Sequence, residues 1–216
     1  MRGLKGAAVC LMLLTIVATR LTAQELLDRM VARVEGDILL LSEVRALSRY
    51  QELVDGKSES DAQILDRLID QWIVRNEAST ARFPRPSEDD INKGVERVQK
   101  SFPSAAEYES RRSQVGLSDA EIRELVGSQL YLSNYLDSRF RPSAQVTQKE
   151  VEDFYQNGVV ARAQARGQTP PTLEAAHDLI QEALVQRSID EQANRWLSES
   201  RSRVHVEKFM DQEAPK

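Results

Sequence analysis

Apolar positions along this chain recur mostly at helical spacing, and only two short stretches are β-prone. The first, Met30 to Leu41, reads MVARVEGDILLL. Its runs Val31 to Val34 and Ile38 to Leu41 flank Glu35-Gly36-Asp37, which predicts a hairpin with Gly36 supplying the turn. Ser42 then stands where an N-cap is needed for a helix through Val54, with Val44, Leu47, Tyr50 and Val54 on one face and Asp55-Gly56 ending it. From Ser60 to Ala81 the apolar residues come in pairs four apart: Ile64-Leu65, Leu68-Ile69 and Trp72-Ile73. Such pairs make a stripe broad enough for a helix at the centre of a bundle, and Pro84 and Pro86 stop it. Trp72, like Trp196 further on, is expected to anchor the core.

A hydroxyl residue followed three positions later by an acid marks a helix start, because each side chain satisfies a free backbone N–H of the first turn. Ser104 with Glu107, Ser118 with Glu121 and Thr147 with Glu150 fit this pattern, and Ser87 with Asp90 is a weaker version. They predict helices near 87–101, 104–115, 118–140 and 147–157, with Gly116 and Gly158 as C-terminal caps. The helix from Ser118 carries two apolar rows, one of Ile122, Leu125, Val126 and Leu130, the other of Tyr131, Leu132, Tyr135, Leu136 and Phe140. Two rows imply contact with more than one surface. Gln156 to Pro171 contains Gly158, Gly167 and Pro170-Pro171 without a sustained pattern and reads as a linker.

A long helix is predicted from Thr172 to Ser202. Its stripe of Leu173, Ala176, Ile180 and Leu184 shifts to Val185, Ile189, Ala193 and Trp196, which implies different neighbours at the two ends. Arg203 to Phe209, RVHVEKF, alternates as a strand does. A lone strand is not stable, and the hairpin is the only other β material, so the two chain ends are expected to pair in one small sheet. The fold class that follows is mainly α, with a small β-sheet formed by the N-terminal hairpin and the C-terminal strand.

Composition supports a packed chain: 41% of the 216 residues are hydrophobic and 29% charged. The first 23 residues stand apart. Arg2 and Lys5 precede AAVCLMLLTIVA, Ala7 to Ala18, and small residues follow to Ala23. This is the layout of a secretory signal peptide with cleavage after Ala23. Twelve helical residues reach only about 18 Å, short of a bilayer core near 30 Å, so a permanent anchor is not expected. The single cysteine, Cys10, lies in this segment, with Val9 before it in place of the small residue that a lipidation site wants. Residues 24–216 therefore offer no disulfide, thiolate metal site or cysteine nucleophile. Without Arg2, Lys5 and Arg20 the chain has 26 basic against 34 acidic residues, a net charge of −8, which argues against a nucleic-acid partner.

Catalytic signatures are not in evidence. His177 and His205, the only histidines, sit among polar neighbours with no second ligand at a metal-binding spacing. No Gly-rich phosphate loop and no Gly-x-Ser-x-Gly elbow occurs. Asp89-Asp90 suits a helix start and its dipole. The residues thus give no reason to expect a catalytic group, a metal or a cofactor.

The order of segments resembles the SurA and parvulin-linked chaperone family of the bacterial envelope. RMVARVEGDILLLSEVRAL, from Arg29, is similar to that family's hairpin-plus-helix start, with the junction Leu40-Leu41-Ser42-Glu43-Val44. LDRLIDQWIVRNEA, Leu65 to Ala78, is similar to its central helix. SRFRPSAQVTQKEVEDFYQ, with Val146-Thr147 and Val151 to Tyr155, looks like its lead-in to a prolyl isomerase domain, and the tail from Pro171 looks like its closing helix and strand. One departure matters: only Gln156 to Pro171 stands where the isomerase domain belongs, far too short for a domain.

The resemblance implies a single chaperone module over 24–216. It comprises an N-terminal helical part (24–155), a linker in place of the isomerase (156–171), and a closing helix and strand (172–216). It further implies a periplasmic holdase whose partners are unfolded polypeptide clients, outer-membrane proteins among them, held in an apolar groove. Tyr131, Tyr135, Phe140 and Trp196 are the candidate peptide-binding residues, since tyrosine offers ring area and tolerates water. The pattern leaves another reading open, in which the closing helix covers this row through Ile180, Leu184 or Trp196. Two other functions compete: an adaptor or structural protein with one fixed envelope partner, and a degenerate prolyl isomerase.

Overall fold

The computed structural model describes residues 28–209. The expected signal peptide, 1–23, and Cys10 within it lie outside the described residues. The chain begins with an antiparallel hairpin, β1 (Met30–Val34) and β2 (Asp37–Leu40), turned through Glu35 and Gly36 at φ 56° and 141°. Five helices follow: α1 (Leu41–Asp55), α2 (Asp61–Thr80), α3 (Glu88–Lys100), α4 (Ala105–Val115) and α5 (Asp119–Phe140). A short 3₁₀ turn, Arg141–Ser143, leads to α6 (Gln148–Phe154), a π-helical stretch (Tyr155–Val160) and α7 (Ala161–Ala165). The long α8 (Leu173–Arg201) and the strand β3 (Val206–Lys208) close the chain.

Local chemistry explains most helix starts. Ser60, Ser87, Ser104, Ser118, Thr147 and Thr172 each accept the backbone N–H three residues on. The pair expected to be weak, Ser87 with Asp90, is a complete reciprocal cap: the Asp90 carboxylate accepts from the Ser87 N–H at 3.2 Å and its hydroxyl at 2.6 Å. Gly56 and Gly116 end α1 and α4 in the left-handed region, φ 72° and 68°, where a Cβ would be strained.

Three local expectations are corrected. Ser42 is not the cap of α1; Leu40 holds that position, and its N–H donates to Glu43 Oε2 at 2.7 Å. Ser42 lies inside the first turn and hydrogen-bonds Asp28. Leu53, not Val54, completes the buried face of α1, and Val54 is 41% exposed. Gly158 caps nothing, because the helix runs through it as a π stretch and on to Ala165; the segment read as a linker is largely helical, and the left-handed glycine there is Gly167, φ 65°.

The sheet has the order β2-β1-β3, so the strands from the two chain ends pair as expected. Ala32, Arg33 and Val34 oppose Lys208, Glu207 and Val206. One face packs on α1 and α2: Val31, Val34, Val44, Ile64, Leu65 and Ile69 are at most 1% exposed, each worth about 1.5–3 kcal/mol of burial. A second cluster joins Tyr50 and Leu53 to Tyr108, Leu117, Ile122 and Val126. A third joins Val74 and Ala78 of α2 to Tyr131, Leu132 and Tyr135 of α5, with Trp196 and Leu197 of α8 against them.

The fourth cluster stands apart from these three: Val151 packs with Ala176, Ile180 and Leu184, flanked by Phe154, Tyr155 and Val159. The stripe on α8 therefore shifts for the reason its pattern implied, one half serving α6 and the other serving α2 and α5. Charged groups reinforce these seams. Arg141 spans Asp137 of α5 and Glu182 of α8, 2.8 Å from each. Arg201 pairs with Asp66 and Asp70 of α2, and Lys208 of β3 reaches the same Asp66 at 2.6 Å. Burial pushes the Asp66 carboxyl up, but hydrogen bonds from Lys208 and Arg201 outweigh it and hold the group below the usual carboxylate range. Asp70 moves the other way, raised by burial that Arg201 only partly offsets.

Candidate functional site

All four candidate peptide-binding residues converge at the seam between α2, α5 and α8. Helical spacing does the first part of the work: Tyr131 and Tyr135 are one turn apart on α5, and Arg139 follows one turn later. The rest is tertiary. The end of α2 turns through Arg82, at φ 53°, and brings Phe83 against both tyrosines, with ring centroids 6.0 Å and 5.6 Å away. The second half of α8 brings Trp196 to Phe140, 6.1 Å between centroids.

The row is split by depth. Tyr131 and Tyr135 are 7% and 5% exposed, so of the two readings left open they fit the covered row and not an open groove wall. Aromatic rings bury too much area to be left uncovered when two helices and a loop can close over them. Tyr131 donates its hydroxyl to the Phe83 carbonyl at 3.5 Å, and the Tyr135 hydroxyl accepts from Arg139 Nη1 at 3.0 Å. Phe140 and Trp196 remain half-buried. Trp72, expected as a core anchor, is also half-buried; it lies against the first cluster with its indole N–H donating to Asp37 at 2.8 Å.

Sequence pattern did not show the arginines of this seam. Arg139 lies over three rings, its guanidinium carbon 5.0 Å from the Trp196 centroid, 5.6 Å from Phe140 and 6.0 Å from Tyr135. Those distances lie within cation–π reach. At the other end of the same cluster Arg85 lies 5.6 Å over Tyr131. The Tyr135–Arg139 spacing was a usable signal for one of these contacts; Phe83 and Arg85 sit in an irregular stretch that offered none.

Elsewhere the surface shows other apolar and concave features. Leu179 on α8 is 78% exposed, and Ile38 on the edge strand β2 is 53% exposed. A surface concavity of about 530 Å³ is lined by Gln148, Leu173, Glu174, His177 and Asp178, and another of about 470 Å³ lies between α3 and α5 beside Leu130 and Asn134. His177 contacts only Asp178 in this rim, 3.0 Å away, and His205 contacts Glu207 at 3.1 Å. Among the described residues no group of three or more metal-ligating side chains converges, and no helix is long and apolar enough to cross a membrane. No protein-family model matches this chain, and no curated protein matches it either.

Proposed function

We propose that this chain is a periplasmic holdase that binds unfolded envelope polypeptides, outer-membrane proteins among them, and releases them without chemistry. The observation that supports the reading is the half-buried aromatic pair of Phe140 and Trp196, whose ring centroids are 6.1 Å apart, with Trp196 packed against the buried Tyr131 and Tyr135. A rigid base under an accessible apolar rim suits clients of varied sequence, because it offers area without a shaped pocket. Exposed Leu179 on the first half of α8 adds a second apolar contact on the same long helix. The order of segments supports the reading as well, since it resembles that of an envelope chaperone family, with helical turns standing where an isomerase domain would be.

The test is suppression of aggregation. Residues 24–216 are mixed with several unrelated chemically unfolded polypeptides and light scattering is followed on dilution, beside a prolyl isomerisation assay. Stoichiometric suppression of unrelated clients without isomerisation is the expected result. Suppression of a single polypeptide that others do not compete for would replace the reading with an adaptor. Catalysed isomerisation would replace it with an enzyme.

A further inference from the structure

We infer that Arg139 is a carboxylate-binding fork, so that the rim selects client segments in which an acidic side chain stands next to an apolar one; this rests on the holdase reading. The guanidinium is contacted by rings and leaves donors free. It lies over Tyr135, Phe140 and Trp196 at 5.0–6.0 Å and gives one hydrogen bond inward, from Nη1 to the Tyr135 hydroxyl. Guanidinium carries five N–H donors in a planar fork that matches a carboxylate. The nearest carboxylate among the described residues is Glu77 of α2, 3.9 Å from Nη1, close enough for attraction but beyond hydrogen-bond length. The Arg139 side chain is 39% exposed, so an incoming group can reach it.

A contrast just past the end of α5 sharpens the assignment. Arg141, two residues on, has its Nε, Nη1 and Nη2 all engaged by Asp137 and Glu182 at 2.8–3.1 Å. With four of its five N–H donors engaged, it is a structural clamp. Arg139 is held instead by three rings and one hydrogen bond, and no carboxylate among the described residues lies within hydrogen-bond distance of it. Cation–π contact restrains the guanidinium without consuming its N–H donors, which lowers the entropy cost of capturing a carboxylate. The partly open rings of Phe140 and Trp196 then take the apolar neighbour of that acid. Glu77 acts as an internal competitor: it draws on the same positive charge and repels an incoming carboxylate.

The experiment uses residues 24–216 and two labelled ten-residue peptides, identical but for one position after a central phenylalanine, Glu in one and Gln in the other. Binding is read by fluorescence anisotropy at low and high salt. The Glu peptide is expected to bind about two- to fivefold more tightly at low salt, the range of an exposed charge-assisted pair, with the difference shrinking as salt rises. Glu77→Gln, at a site 47% exposed, is expected to tighten the Glu peptide alone. Arg139→Gln is expected to abolish the preference, with the melting temperature checked alongside. Equal binding of both peptides, unchanged in Glu77→Gln, would overturn the fork and leave the holdase reading standing. Binding of neither peptide, together with no suppression of client aggregation, would remove both.

Discussion

Two helical glycines at the α3–α5 crossing invite the same substitution and should answer it in opposite directions. In an exposed helix interior, Gly→Ala is worth about 1 kcal/mol of stabilisation through propensity. At Gly94 a Cβ would stand 2.6 Å from Val126 Cγ1 and 3.1 Å from Leu130 Cδ1. Carbon atoms prefer about 3.5–4.0 Å, so Val126 must yield by roughly 1 Å. It has little freedom to do so: Val126 is 4% exposed, and a β-branched side chain in a helix has one dominant rotamer. Overpacking of this kind costs about 1–3 kcal/mol and here exceeds the propensity gain, leaving Gly94→Ala destabilised by about 1–2 kcal/mol. At Gly127 the new Cβ meets Ile91 Cδ1 at 3.2 Å, the flexible end of a half-buried side chain that can move aside. Gly127→Ala should therefore be neutral or stabilised by up to about 1 kcal/mol. For a domain of this size the first change corresponds to a fall of about 2–8 °C in Tm. Thermal and urea unfolding of both variants would measure it, and adding Val126→Ala to Gly94→Ala should cost less than the two single changes summed, because it vacates the contested space. Equal stability of the two glycine variants, or full additivity in the double, would show that the helices are not packed this closely.

The paired tyrosines are core, so Tyr131→Ser with Tyr135→Ser should lower Tm steeply, each change costing about 3–5 kcal/mol as other buried aromatics do; a loss of client binding at unchanged Tm would contradict their burial. Removing 203–216 takes away β3, the Phe209 N–H bond to Val31 and the half-buried Val204 and Val206, and should destabilise the chain by at least about 2 kcal/mol in denaturant unfolding. A truncated protein that unfolds like the whole would mean that the ends do not support each other. Asp66 has a lowered pKa, so its contribution is present above the ordinary carboxylate range and is lost as pH falls through the lowered folded value. Asp66→Asn should therefore cost under about 1 kcal/mol at pH 7, since the group is partly exposed, and nothing in strong acid. Asp70 is raised, so Asp70→Asn should cost less than Asp66→Asn at neutral pH, and Tm measured from pH 3 to 7 would expose a reversed order.

Most helix starts set by a side chain bonding three residues on were legible in the amino-acid order. Ser60, Ser118, Thr147 and Thr172 each bond a backbone N–H three positions away, so their helices start where the letters say. The same holds for the glycine stops at Gly56 and Gly116. The β-prone ends also had to pair, since neither could be stable alone. Much of what failed depended on partners remote in sequence. Ser42 hydrogen-bonds Asp28 because Glu43 already serves the Leu40 N–H. Glu35 adopts φ 56° in the hairpin turn, held by His205, whose carbonyl accepts the Glu35 N–H at 3.0 Å and whose N–H donates to the Glu35 carboxylate at 2.8 Å. The split of the aromatic row into buried Tyr131 and Tyr135 and half-open Phe140 and Trp196 was set by where Phe83 and α8 came to lie. Periodicity says which residues share a face; only the assembled helices decide how much of that face is covered, because coverage is the sum of contacts between segments that no local pattern relates.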